Sequence, residues 1–286
     1  MDSVGSPLLR RTRVATWVAV AALGLLARLR PGLARAATAT LVATLGVAHG
    51  ATDDAILDRL GIRLPGGRAM LSILYGVSAV GTFALARRMP EAASRALTAL
   101  SCLHFGAGDA AFARACGSRG GIALETLVRG TLPLGIAGAD ARSRTLFTLA
   151  LAYALRHAYC GRRDDALDVA LPAILLLVLP PRVGFGVYFG AWHALRHTAL
   201  VLDRDPRGGS TRTRATRFAR ESAPNVAIAL GVGALAFAWE RTRDEGAAPD
   251  ADESARTEAI AGALILAITV PHEIAVGIIE RHSRTA

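Results

Sequence analysis

The sequence predicts an all-α protein, a bundle of about eight to ten membrane-spanning helices. Three observations predict it. Of the 286 residues, 52% are hydrophobic. The mean hydropathy is +0.37, well above the usual value for a soluble domain of this length. The apolar stretches are separated by short connections in which the arginines crowd, which is where membrane proteins place them.

Apolar segments fall at 14–29, 37–57, 69–86, 96–113, 122–138, 145–160, 166–180, 183–202, 224–240 and 258–279. Several are shorter than the ~20 residues a clean span needs, so eight spans plus interfacial helices is the alternative count. No internal repeat or separate soluble domain is visible. The organisation expected is a polar, cytoplasmic N-terminus at 1–13, one transmembrane domain at 14–280 and a short tail at 281–286. Residues 14–29 imitate the apolar core of a signal peptide, and Ala34-Arg35-Ala36 a weak cleavage site. With so many spans downstream, a retained first helix is expected. Asp203 to Ser222 carries six arginines, with Pro206 and Gly208-Gly209 opposing regular structure, and Arg241 to Thr257 is acid-rich. The positive-inside rule puts the first connection in the cytoplasm and the second outside, with both termini cytoplasmic for ten spans.

The net charge of +10 therefore reads as topology and contact with the lipid bilayer. No CxxC, RNP-like or basic–aromatic pattern supports nucleic-acid binding. All 33 basic residues are arginine. With no lysine, a Schiff-base retinal pigment is excluded. Cys102, Cys116 and Cys160 have no paired spacing and read as free thiols.

Ionisable groups inside a span are expensive, so each is a functional hypothesis. Of seven histidines, His49, His104, His193, His197 and His272 lie well inside apolar segments. His157 lies near a segment end and His282 in the tail. A single histidine in an apolar helix is more often a satisfied core residue than a ligand. The set argues otherwise. His193 and His197 are spaced i, i+4 and leave one helix face. His49, His104, His193/His197 and His272 lie on the second, fourth, eighth and tenth segments, which all run in one direction. Their similar depth makes one cluster possible. Neutral imidazoles suit zinc, copper, iron and nickel, whereas calcium and magnesium want oxygen ligands. Asp53 and Asp109 follow His49 and His104 and are placed to accept a ring N–H from their own or a neighbouring histidine, or, for Asp53, to mark a helix end. Arg196, between the paired histidines, is expected to pair with a carboxylate or to snorkel. Phe105, Tyr188, Phe189 and Trp192 lie beside the histidines and either pack or line a substrate channel.

The segments His49-Gly50-Ala51-Thr52-Asp53, His104-Phe105-Gly106-Ala107-Gly108-Asp109, Trp192-His193-Ala194-Leu195-Arg196-His197 and Pro271-His272 occur in that order. They resemble the motifs of the Brp/Blh family of membrane β-carotene 15,15′-dioxygenases, from about Gly46 to Gly277. The resemblance implies central oxidative cleavage of β-carotene by O2 to two all-trans-retinal molecules at an Fe(2+) centre in a multi-pass protein of the bacterial or archaeal cell membrane. It implies His49, His104, His193 and His197 as iron ligands. Asp53, Asp109, Arg196, His272, Phe105 and Trp192 are then second-layer or substrate-facing residues. The family often has histidine at the position of Asp54 and an acid at that of Gly108. Two other readings stand beside it. A membrane di-iron hydroxylase or desaturase needs more His-x-x-x-His pairs than the one here. A carotenoid- or retinoid-binding protein without catalysis would use the same histidines as scaffold.

Overall fold

The computed structural model describes residues 6–59, 61–62, 67–133, 141–244 and 267–279. Among these it is helical, with no strand. The helices are α1 (Pro7–Leu29), α2 (Pro31–Leu41), π1 (Val42–Gly46), α3 (Val47–Gly50), α4 (Asp53–Arg59), α5 (Gly67–Arg88), α6 (Pro90–Ala115), α7 (Ile122–Thr131), α8 (Ala141–Tyr159), α9 (Arg163–Val178), α10 (Pro181–Val187), π2 (Tyr188–Ala194), α11 (Leu195–Asp203) and α12 (Thr211–Asp244). A last helix, α13, is Ala267–Ile279. Among the described residues two stretches, Pro7–Leu29 and Pro31–Arg59, are long and apolar enough to cross a membrane. Tail residues 281–286, with His282, and most of the acidic connection 241–257 lie outside the described residues.

Two compact units divide the chain: Met1–His49 with Ser101–Phe218, and Gly50–Leu100 with Ala219–Ala286. The core of the first is built on Trp192, Tyr188, Val187, Val169 and Phe105, with Phe147, Leu132 and Val20 around them. In the second, Phe83, Ala86, Ala93, Leu100 and Val270 pack together.

Helix boundaries follow local chemistry. Ser6 caps α1, its hydroxyl accepting from the Leu9 N–H, and Pro7 fits the first turn, where no N–H is needed. The second apolar segment is not one rod. It shifts into a π-helix at Val42–Gly46, breaks at a turn over 51–52 and restarts at Asp53-Asp54, two carboxylates suited to a helix N-terminus. The arginine-rich connection is shorter than expected. Only 204–210 is irregular, because Ser210 Oγ accepts from the Thr213 N–H at 3.1 Å and starts α12.

Two glycines let α6 and α7 touch through their backbones. A Cβ at Gly106 would strike the Thr126 carbonyl, and one at Gly130 the Cys102 carbonyl. Backbone atoms cannot swing aside, so Gly130→Ala should destabilise the fold by about 1–3 kcal/mol. Gly76, where a Cβ would meet nothing within 4 Å, is the control. Thermal unfolding in detergent should show a lowered midpoint for Gly130→Ala and no lowering for Gly76→Ala.

Candidate metal centre

Four imidazoles of the first unit converge. His49 stands at the end of π1 and α3, His104 in the middle of α6, His193 in π2 and His197 in α11. Ring centroids of His49 lie 5.7 Å from His104, 5.6 Å from His193 and 5.4 Å from His197. His104 and His193 are 4.8 Å apart, and their Nε2 atoms 3.1 Å. His193 and His197 are separated by 6.2 Å. His49, His104 and His193 are buried.

Two π-helices shape this convergence, and neither is legible from apolar periodicity. A π turn inserts a residue, so it rotates every side chain after it, and such turns gather at functional sites. π1 precedes His49, and its Gly46 carbonyl accepts the His49 Nδ1–H. π2 carries Trp192 and His193. The two segments approach at Gly190, where a Cβ would lie 2.9 Å from Leu41 Cβ and 3.1 Å from the Leu41 carbonyl carbon. Only glycine permits that approach.

Behind the imidazoles sits Asp109. Its Oδ2 accepts from Tyr188 Oη at 3.0 Å and Trp192 Nε1 at 3.1 Å, and its Oδ1 from His193 Nδ1 at 3.2 Å. With Nδ1–H committed to Asp109, the His193 Nε2 lone pair is turned toward His104. Trp192 and Tyr188 are fully buried, and their polar tips hold the carboxylate. Beside the imidazoles lie Phe105, Phe185 and Phe189. Phe105 lies 4.7 Å from His193, Phe189 lies 5.4 Å from His49, and Phe185 stacks on Phe189 at 5.8 Å. Phe185 does not stand out in the sequence, although it sits four residues before Phe189 and shares its face.

Arg196 pairs with a carboxylate and does not snorkel. Its Nη2 donates to Asp168 Oδ1 at 2.7 Å, its Nε and Nη2 reach Thr16 Oγ1, and its guanidinium lies 3.5 Å from the centre of the Trp192 ring. Asp168 also accepts from Arg13 Nε at 3.0 Å and Trp17 Nε1 at 2.8 Å. Pro172, inside α9, has no N–H to offer the Asp168 carbonyl, and Arg129 Nη1 takes that place at 3.3 Å. Arg129 pairs in turn with Glu125 at 2.7 Å, which also accepts from Tyr153 and faces His157 at 3.4 Å. Arg13, Glu125, Arg129 and Asp168 are all buried. No motif points to them. The signal was available, since each is a charge inside or beside an apolar segment, as Arg196 is.

In the second unit, His272 Nδ1 donates to Asp53 Oδ2 at 2.7 Å, and Tyr75 Oη donates to the same oxygen at 3.3 Å. Asp53 thus serves His272, and Gly50 makes room for that ring, since a Cβ there would lie 3.2 Å from His272 Nδ1. Asp54 accepts from Asn225 Nδ2 at 3.2 Å.

A family model described as beta-carotene 15,15′-dioxygenase matches residues 136–280, half of the chain. The chain belongs to the Brp/Blh β-carotene 15,15′-dioxygenase family. It is 31% identical over 146 residues to the probable beta-carotene 15,15′-dioxygenase Blh of Halobacterium salinarum, a match covering 49% of this chain and 39% of that relative. The match therefore takes in about two fifths of the length of that curated relative. No solved structure matches the chain. The Brp/Blh-matched region contains His193, His197 and His272, while His49 and His104 precede it.

The glycine at 108, where the Brp/Blh pattern often has an acid, has a local reason here. A Cβ at that position would lie 2.8 Å from His193 Cε1. Asp168 is the balance point of the buried charges. Removing its charge leaves Arg13 and Arg196 facing each other, so Asp168→Asn should cost about 3–5 kcal/mol in an unfolding measurement. Asp164, 67% exposed on the same helix, should tolerate the same change within about 0.5 kcal/mol.

Proposed function

We propose that this chain is a multi-pass cell-membrane oxygenase that splits the central double bond of β-carotene with O2, one oxygen atom going to each of two retinal molecules. We further propose that His49, His104, His193 and His197 hold Fe(2+). The observation that carries the reading is the convergence of these imidazoles from three separate stretches of chain in a buried, largely apolar setting.

The donor set fits a transition metal of the iron type. Nitrogens bound to one ion at ~2.1 Å lie about 3–3.4 Å apart, and the His104 and His193 Nε2 atoms stand at 3.1 Å. Two of the rings have their other nitrogen engaged, His49 by the Gly46 carbonyl and His193 by Asp109. That is the usual support of a ligating imidazole, because it fixes the tautomer and the ring plane. When bound, iron would supply the dioxygen chemistry.

The chain's own residues do the rest. Asp109 orients His193 and keeps its Nδ1 proton. Tyr188 and Trp192 hold Asp109 by hydrogen bonds to its other oxygen, so the carboxylate is not free to rotate toward the substrate. Phe105, Phe185 and Phe189 offer flat faces to a long, rigid polyene beside the imidazoles, and their packing excludes water. A hydrocarbon substrate dissolves in lipid, so a site in a membrane bundle receives it without an aqueous crossing. The membrane reading is supported by the two long apolar stretches and by exposed apolar side chains along α1, α5, α8 and α12, such as Val18, Val77, Leu155 and Leu235.

Expressed in cells that accumulate β-carotene, the chain should bleach the pigment and yield retinal. Pigment kept, with no retinal despite good expression and iron supply, would sink the proposal. His193→Ala should abolish cleavage while the protein stays in the membrane. Asp109→Ala should keep the ligands but weaken metal affinity about 10- to 100-fold, read by competition with a chelator. Unchanged affinity would remove Asp109 from this role.

A further inference from the structure

We infer that the arginine-rich end of the first unit is its cytoplasmic face and that this face binds anionic phospholipid headgroups. The inference rests on the membrane reading above and adds which chain segments build this face of the first unit and the chemistry of its lipid partner.

The face is assembled from chain segments far apart in sequence. Ser6, at the start of α1, donates from Oγ to Asp203 at the end of α11 at 2.5 Å. Arg214, in the first turn of α12, donates to the Leu202 carbonyl at 2.7 Å. Arg13, less than two turns into α1, reaches Asp165 at the start of α9 at 2.8 Å. Arg162, in the turn between α8 and α9, donates to Ser118 beyond the end of α6 at 2.8 Å. Ends of α6, α8, α9, α11 and α12 and the N-terminal approach to α1 therefore lie at one end of this unit.

The charge left over there is positive. Asp165 is engaged by Arg13 and Arg162, Asp203 by Ser6, and Asp205 by Arg207 and Arg217. Asp164 is an exposed acid, 3.6 Å from Arg13. Against it stand Arg10, Arg11, Arg114, Arg163, Arg204 and Arg212, all exposed. A basic surface of this kind also suits nucleic acid. Lipid is favoured because the shafts leading away from this end expose Val14, Val18, Leu103, Leu149 and Leu155, and apolar shafts belong in hydrocarbon.

The depth of the imidazoles supports the same orientation. His104 precedes the end of α6 by eleven residues and His193 precedes the end of α11 by ten. At about 1.5 Å per residue both imidazoles lie roughly 15–17 Å from the basic end. That is about half of a ~30 Å hydrocarbon layer, so this orientation puts the imidazoles near the bilayer midplane. It also puts the start of α1 and the turns at 116–121, 160–162 and 204–210 on one side, the cytoplasmic one by charge.

Cys160 is an exposed native reporter on this face. In a Cys102→Ser, Cys116→Ser background, a membrane-impermeant maleimide should label Cys160 in inside-out vesicles and not in intact spheroplasts. Labelling from the outside would overturn the orientation. Release of the chain by carbonate washing would instead overturn the membrane reading itself, a separate readout. For the lipid arm, the purified full chain is placed in phosphatidylcholine vesicles with and without a third of phosphatidylglycerol. The thermal midpoint should rise with phosphatidylglycerol, and the rise should fade at high salt. Arg10→Gln, Arg11→Gln, Arg204→Gln and Arg212→Gln together should remove the rise, and lysine at the same positions should restore it. Each arginine contributes a several-fold preference for the anionic surface. A midpoint indifferent to phosphatidylglycerol, a shift reproduced by inorganic phosphate alone, or one produced only by RNA would each overturn the lipid assignment.

Discussion

Asp109 is the interaction on which the site depends. A carboxylate sealed in an apolar bundle is tolerated only when its oxygens are occupied, and here three donors from one helical stretch occupy them. Tyr188 and Trp192, four apart, share a face of an ordinary α-helix, but His193, next in the chain, would be turned about 100° from Trp192, so an α-helix does not aim all three at one acceptor. The π geometry of Tyr188–Ala194 does. The carboxylate, the π-helix and the orientation of His193 are thus one arrangement. Loss of any part leaves a buried charge or an unsupported ring.

A second layer keeps that arrangement rigid. Arg196 lies over the indole that serves Asp109 and is itself held by Asp168 and Thr16. Asp168 ties α9 to α1 through Arg13 and Trp17, and its carbonyl, freed by Pro172, is taken by Arg129. Positive and negative groups alternate from Arg13 through Asp168 to Arg196, and from Arg129 to Glu125. Such a network is costly to bury and specifies one packing among the many that alanine- and leucine-rich helices would otherwise allow.

Much of the helical organisation was legible because apolar runs broken by arginine leave few alternatives. The histidines were legible for a related reason: an imidazole amid leucine and alanine is conspicuous, and the segment order places five of them on four segments that run in one direction. Other features were invisible to that reasoning. Apolar periodicity does not distinguish a π-helix from an α-helix over five to seven residues, so the rotation that aims His49 and His193 did not show. Asp53 sits one turn from His49 in sequence and could serve its own or a neighbouring histidine; spacing does not choose between them, and the turn at 51–52 leaves it to His272. Trp192 and Tyr188 stand out in sequence only as aromatics beside a histidine, and nothing there shows that their polar tips meet on Asp109. No motif frames the buried charges of α7 and α9, so nothing in the sequence ties them to one another. The start of α12 was hidden by its arginines, although Ser210 is an ordinary N-cap.

The central claim is that four imidazoles gathered around the His104–His193 contact hold one iron. Metal analysis of protein purified from iron-replete cells tests it most directly. A single iron per chain is expected, lost when His104 or His193 is replaced by alanine while the helical content is kept. Stoichiometric zinc without iron, two irons per chain, or iron retained after both replacements would contradict it.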